Sequence, residues 1–290
     1  MKNISIKWIY LVALSIVWGS SFILMKYALL GLTPVQVGSL RMIITAFVLL
    51  PFGLKSLQSL TAKNWIHIGL SALVGTLFPV FLFAIAIKNM DSSLAAILNS
   101  FVPFNALLLG FIFFGFSFQK RQVFGVLVGL LGTVLLILNG NSIASLTEYK
   151  YPLMILTASV GYAFNVNIIK RFLQDVKPIA ITTASFAVVL IPALIILGTT
   201  GFYTDLEFTP LINKSLFYIV ILSVIGTAIA KVFFNKLVQI SSPVFSASVT
   251  YLTPIVAVFW GFLDGERLSV MQLFSGLIIL IGVYLAKKSD

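Results

Sequence analysis

Charge is what this chain of 290 residues has least of: 9% of its residues are Asp, Glu, Lys or Arg, against 60% hydrophobic ones and a mean hydropathy of +1.10. Soluble domains carry about a quarter charged residues, so an ordinary soluble domain is excluded. Cysteine is absent altogether. That rules out a disulfide framework, a thiolate metal site and a cysteine nucleophile, and it leaves the redox compartment open. The only histidine, His67, has no second ligand near it, so neither a metal nor catalysis is assigned to it. Paired carboxylates, a catalytic triad and a phosphate-cradling loop cannot be assembled from these residues. An enzyme and an ATP-driven pump are therefore disfavoured, and no cofactor is implied.

What is present is a series of apolar runs of about 20 residues, each long enough to cross a hydrocarbon core of ~30 Å as a helix. Ten spans can be marked: 7–29, 34–54, 65–87, 92–114, 122–140, 151–173, 178–199, 215–238, 243–263 and 269–287. The connections carry turn formers and charges, as in Leu32-Thr33-Pro34, Gln119-Lys120-Arg121 and Val176-Lys177-Pro178. None has room for a separate soluble domain. Lys2 and Lys7 precede the first run, which lacks a small-x-small cleavage site and reads as an uncleaved span rather than a signal peptide. The net charge of +11 could suggest nucleic acid, but the cations sit mostly in short connections, where they set membrane orientation. With a cytoplasmic amino terminus, the inner connections hold twelve of them, among them Lys55, Lys63, Lys170, Arg171 and Lys177. The outer connections hold four: Lys88, Lys150, Lys214 and Arg267. Both termini are expected in the cytoplasm.

The second half echoes the first. Lys26 and Pro34 answer Lys170 and Pro178 at a spacing of 144 residues. Gly75-Thr76, Pro103 and Gly110-Phe111 answer Gly226-Thr227, Pro254 and Gly261-Phe262 at 151. Gln122 and Gly132 answer Gln272 and Gly282 at 150. The expected fold is all-α, a polytopic membrane protein with ten transmembrane helices in two inverted five-helix repeats. The first repeat spans 1–140, a connecting loop spans 141–150 and the second repeat spans 151–290. Five spans per unit, an odd number, is what inverts the second copy. Inverted repeats are a recurring plan of secondary transporters, with substrate bound near mid-membrane between the copies.

Three cations, Lys26, Arg41 and Lys231, fall within predicted spans, and none of the eight acids does. A charge at that depth costs at least about 2.5–3.5 kcal/mol on insertion scales and needs a partner, a wet cavity or an escape. Lys26, near a span end, can snorkel. For Arg41, packing or carbonyl capping and ligand contact both stay open. For Lys231, some sixteen residues into its predicted span, the alternatives are a cavity wall or a contact with the carbonyls of a kinked neighbour. Pro103 and Pro254 are equivalent helix breaks, and Pro79 is a third without a counterpart. Static kinks are the plain alternative for all three. Ser20, Ser21, Asn99, Asn105, Asn165, Asn167, Thr250 and Tyr251 lie at similar depths, either as hydrogen-bond glue between helices or as cavity lining. Asn99 and Thr250 are repeat-equivalent, one helical turn before the paired prolines, and so are Trp18 and Tyr162. Gly125-x-x-x-Gly129 with Gly132 makes a smooth face that favours internal packing, a homodimer interface being the alternative.

Trp18-Gly19-Ser20, Arg41, Pro103, Pro254 and Leu263-Asp264-Gly265-Glu266-Arg267-Leu268-Ser269 together resemble the EamA-type permeases of the drug/metabolite transporter superfamily. The resemblance covers the whole chain. It implies a plasma-membrane (inner-membrane) carrier for small metabolites, often an exporter of amino acids or related compounds, with a central cavity between the repeats. Two departures stand out. Gly115 is followed by Phe116 where the first repeat usually has Gly-Glu, and Lys231 stands where an apolar or aromatic residue is expected. The expected site is therefore Lys231, Trp18, Asn99, Asn165, Thr250, Tyr251 and Arg41, with Pro103, Pro254 and Pro79 as helix breaks near it. A cation there without an intramembrane acid favours a carboxylate- or phosphate-bearing substrate, such as an amino acid. It also favours facilitated diffusion or exchange over proton coupling, unless Lys231 itself carries the proton. The rivals are an uptake or exchange carrier for sugars or phosphorylated metabolites and a non-transporting scaffold. The expected partners are the small-molecule substrate and the lipid bilayer, with no nucleic acid.

Overall fold

The structure, a computed structural model, describes residues 2–90, 95–96, 98–138, 149–204, 207, 209–263 and 270–286. The connection at 141–148 and the 264–269 part of the resemblance motif lie outside the described residues. Among the described residues there is no strand. The helices are α1 (Lys2–Ala28), α2 (Pro34–Leu57), α3 (Ala62–Ala72), α4 (Phe78–Asn89), α5 (Val102–Phe114), α6 (Lys120–Leu138) and α7 (Lys150–Phe172). They continue as α8 (Pro178–Gly198), α9 (Pro210–Ser223), α10 (Ala230–Ile240), α11 (Pro243–Ala247), α12 (Val249–Leu263) and α13 (Val270–Ala286). Their starts follow local chemistry. Thr33 closes a capping box with Gln36 ahead of α2, and Thr61, Thr209 and Ser242 cap α3, α9 and α11. Proline stands in the first turn of α2, α8, α9 and α11, where its missing N–H costs nothing.

Several elements are halves of one rod. α3 runs into α4 through a π turn, Leu73–Leu77, and α9 into α10 through another, Val224–Ile229. These turns contain Gly75-Thr76 and Gly226-Thr227, the pairs that the 151-residue spacing equates. A 3₁₀ turn, Asn99–Phe101, leads into α5, and Ser248 separates α11 from α12. By length and composition six rods among the described residues can cross a membrane: Ile6–Ala28, Pro34–Leu57, Ala62–Asn89, Lys150–Phe172, Pro178–Gly198 and Pro210–Ile240. Shorter apolar helices among the described residues run Asn99–Phe114, Pro243–Val256 and Phe274–Ala286.

The outside of the bundle is apolar, with Val12, Phe47, Phe52, Ile66, Phe111, Ile191, Phe217 and Ile281 all exposed. Water would not tolerate such a surface; lipid does. This is a multi-pass membrane protein. Inside, small residues let backbones approach. The Gly125/Gly129/Gly132 face of α6 packs within the chain against Gly282, Ala286 and Ile279 of α13. The first turns of α1 and the last turn of α13 lie at one end of the bundle: Gln122 bonds Ser242 and Ala286, while Trp8 packs edge-on against Phe245 at 5.2 Å.

Candidate functional site

The two π turns create the site. A π turn, or a proline, leaves a helix carbonyl without its N–H partner. Pro79 cannot donate to Gly75 O four residues back, and Lys231 Nζ takes that carbonyl at 3.0 Å. In the second half Ala230 N bonds Ile225 O and Thr227 O. Gly226 O is bypassed, and it accepts from Trp18 Nε1 at 3.0 Å. Equivalent carbonyls are thus freed in both halves and capped by side chains from other rods. The glycines are needed for the approach: a Cβ on Gly75 would stand 2.3 Å from Asn165 Cβ, and one on Gly226 would stand 2.8 Å from Ser21 Oγ. Ser21 and Asn165 are themselves equivalent at the 144-residue spacing.

A cavity of about 100 Å³ opens between these turns, lined by Trp18, Ser21, Phe22, Met25, Arg41, Phe83, Ile87, Asn99, Val102, Tyr162, Asn165, Val166, Gly226, Lys231, Phe234, Ala247, Thr250 and Thr253. Among the described residues its lining holds two cations and no acid. Arg41 Nε donates to Thr227 Oγ1 at 2.7 Å, and the threonine hydroxyl donates to Leu222 O at 2.9 Å. The Lys231 ammonium lies 5.7 Å from the centre of the Tyr162 ring, within cation–π reach. An ammonium has three donors, and Gly75 O uses one. Asn165 accepts from Ser71 Oγ, and Thr250 Oγ1 donates to Ala247 O at 2.9 Å. The Asn99 amide oxygen is buried in the lining with no hydrogen-bond partner among the described residues. Such a group costs about 1–3 kcal/mol when left unmet.

Of the expected site residues, the structure brings Lys231, Trp18, Asn99, Asn165, Thr250 and Arg41 to this one cavity. The two alternatives for Lys231 turn out to be compatible, since it caps a carbonyl of a kinked neighbour and lines the cavity as well. Tyr251 is the correction. It is fully buried outside the cavity, its ring against Gly129 and its hydroxyl donating to Val126 O of α6 at 2.8 Å. Thr250 and Tyr251 are consecutive on a helix and so point about 100° apart. Only one can face the cavity. Tyr251→Phe should accordingly lower stability by about 1 kcal/mol and leave transport rates unchanged, as thermal unfolding and uptake assays on one preparation would report.

The prolines do not leave bare carbonyls for a ligand. Thr250 O, freed by Pro254, accepts from Ser100 Oγ at 3.0 Å and Thr253 Oγ1 at 2.9 Å, while Asn99 O accepts Val102 N–H. Lys26 is exposed at its helix end, as a snorkelling side chain would be. Asn105 and Asn167 are glue between helices, bonded to Ser159 Oγ and Ala106 O. Sequence reasoning missed the π turns themselves: the Gly-Thr echo marked their place, but nothing in it specifies an extra residue per turn. It also missed Phe22, Met25, Phe83 and Ile87, which line the cavity and look like any other apolar helix residue.

The Trp18-Gly19-Ser20 motif now has a physical account. Trp18 caps Gly226 O. Gly19 lets α1 approach α12, where a Cβ would stand 2.5 Å from Val256 Cβ. Ser20 Oγ accepts from Trp260 Nε1 at 2.8 Å.

Comparison with known proteins agrees with this architecture. A solved crystal structure superposes with a TM-score of 0.74 over 96% of this chain and 95% of that one, at 18% identity, which speaks for the fold alone. The chain is 27% identical over 289 residues to the "Uncharacterized inner membrane transporter YedA" of Escherichia coli (strain K12), covering 95% of this chain and 90% of that protein. It is 26% identical over 282 residues to a "Probable amino-acid metabolite efflux pump" of Salmonella typhimurium, covering 93% and 91%. The family model described as the EamA-like transporter family matches residues 5–138 and again 150–287. The chain belongs to the EamA-like transporter family.

Proposed function

We propose that this transporter is a secondary carrier that exports a small carboxylate-bearing metabolite, an amino acid or a close relative, across the inner membrane. Ten spans in two inverted five-helix repeats, 1–140 and 151–290, would rock about the cavity with both termini in the cytoplasm. The equivalent π turns and the two matches of the family model support the repeat. The observation that carries the substrate reading is a cavity lined by Lys231 and Arg41 with no acid among the described residues. A carboxylate would meet both cations, and a substrate ammonium would meet the unpartnered Asn99 amide oxygen. The efflux-pump name of the Salmonella typhimurium relative supports both the direction and the substrate class.

Metabolites inside and outside cells expressing the wild type, Lys231→Ala or an empty vector test this reading. An amino acid or other carboxylate should accumulate outside with the wild type only. Equal export by Lys231→Ala would remove the lysine from the account. A second prediction separates the two ends of the substrate. Asn99→Leu should raise the KM for an amino acid about tenfold and leave the KM of the same acid without its amino group unchanged. The same pair of cations would also suit a phosphate. Counterflow in proteoliposomes preloaded with amino acids or with sugar phosphates decides between export of the former and exchange of the latter.

A further inference from the structure

A second cavity, of about 330 Å³, lies at the end of the bundle where α1 begins and α13 ends. Roughly 300–1,000 Å³ is the range of small-molecule sites. It is separate from the central cavity. Along α10 Phe234 lines the first cavity and Gln239 the second, with Leu237 and Val238 buried between them. Along α7 Val166 and Lys170 do the same around buried Ile169.

Among the described residues its lining carries two ammonium groups from distant parts of the chain, Lys7 of α1 and Lys170 of α7, and no carboxylate. Lys170 is held in place rather than loose. Its Nζ donates to Gln239 O at 3.0 Å, and the Gln239 amide is itself fixed on Leu173 O at 2.9 Å and Val176 O at 2.6 Å. Ser242 Oγ accepts from Phe245 N and from Gln122 Nε2, both at 3.2 Å, which leaves its own proton to donate. Like charges sharing a low-dielectric recess raise its positive potential, and a bound anion relieves that repulsion. Lysine is a point-charge partner for phosphate, and basic pockets between helices at a membrane surface take lipid headgroups. The surroundings suit a lipid. Trp8, an interfacial residue type, lines the recess, while Ile9 (63% exposed) and Phe172 (43% exposed) lie beside it on α1 and α7, where acyl chains would run.

We propose that this recess is a binding site for a singly substituted or diester phosphate, with the headgroup of an anionic phospholipid as its occupant. The site is independent of the transported substrate and of the reading given above. Native mass spectrometry on the full-length protein in detergent tests it, with phosphatidylglycerol, phosphatidylcholine and inorganic phosphate as the probes. The wild type should retain phosphatidylglycerol about tenfold more tightly than phosphatidylcholine. Lys7→Gln/Lys170→Gln should lose that preference, and Lys7→Arg/Lys170→Arg should keep it. Lys63→Gln/Lys236→Gln, which removes the same charge from exposed positions outside the recess, should also keep it and serves as the folding and surface-charge control. Inorganic phosphate bound in place of lipid, with the same dependence on Lys7 and Lys170, would support the anion site and assign it a soluble occupant. Equal lipid retention by the wild type and Lys7→Gln/Lys170→Gln, or no binding of any of the three probes, would overturn the proposal.

Discussion

Replacing Lys231 by alanine should lower transport about a hundredfold or more while the protein still folds and reaches the membrane. Two losses combine. The substrate's acid group loses a cation in a recess walled by low-dielectric helices, worth about 1.5–3 kcal/mol per charge-assisted hydrogen bond. Gly75 O, freed from its helix by Pro79, loses its cap as well. Conservative variants separate the two effects. Lys231→Gln can still donate to Gly75 O but carries no charge, and Lys231→Arg keeps both charge and donors. If the charge binds substrate, Lys231→Gln should fail nearly as badly as alanine and Lys231→Arg should retain measurable transport. Lys231→Glu should abolish transport by placing an anion against the substrate. Uptake into proteoliposomes, corrected for the amount of folded protein, gives the comparison. Near-normal rates in Lys231→Gln would reduce the lysine to a helix cap.

The second large effect is on stability. Gly282→Val should destabilise the fold by about 3 kcal/mol or prevent α13 from docking. A Cβ at this position would stand 2.3 Å from Gly129 N and 2.5 Å from Gly129 Cα, backbone atoms that cannot swing away. The α6–α13 pair would have to separate, and with it the contact that positions Tyr251 on Val126. Gly276→Val is the control. It sits on the same helix, and a Cβ there meets nothing within 4 Å. Its effect should be limited to the small gain in helix propensity of valine over glycine. Thermal unfolding in detergent, followed by size-exclusion chromatography, compares the two; equal midpoints would mean that the glycine seam is not a close packing contact.

Much of this was legible in the sequence, and for identifiable reasons. The cost of a charge in hydrocarbon makes Lys231 and Arg41 conspicuous among apolar neighbours, and both line the cavity. The 144- and 151-residue spacings pointed to the Gly-Thr pairs and to Asn99 with Thr250, all of which lie at or beside it. Depth along a helix can be read by counting residues. Direction around it cannot, which is why Thr250 and Tyr251 looked interchangeable although only Thr250 lines the cavity. The π turns were hidden for a different reason. Pro79 marks one of them, but Ala230 occupies the equivalent place in the other half, so the second break has no proline to announce it. The terminal recess was hidden too, because Lys7 and Lys170 read as ordinary orientation-setting charges until the fold brings them to the lining of one recess.

The claim on which the functional account rests is that Lys231 holds the acid group of the substrate. Ligand-induced thermal stabilisation, measured with a panel of amino acids beside their carboxamides, tests it most directly, because each pair differs at the acid group alone. At least one acid should raise the unfolding midpoint of the wild type while its amide does not, and Lys231→Gln should respond to neither. An acid and its amide that stabilise the wild type equally, or an acid that stabilises Lys231→Gln as much as the wild type, would contradict it.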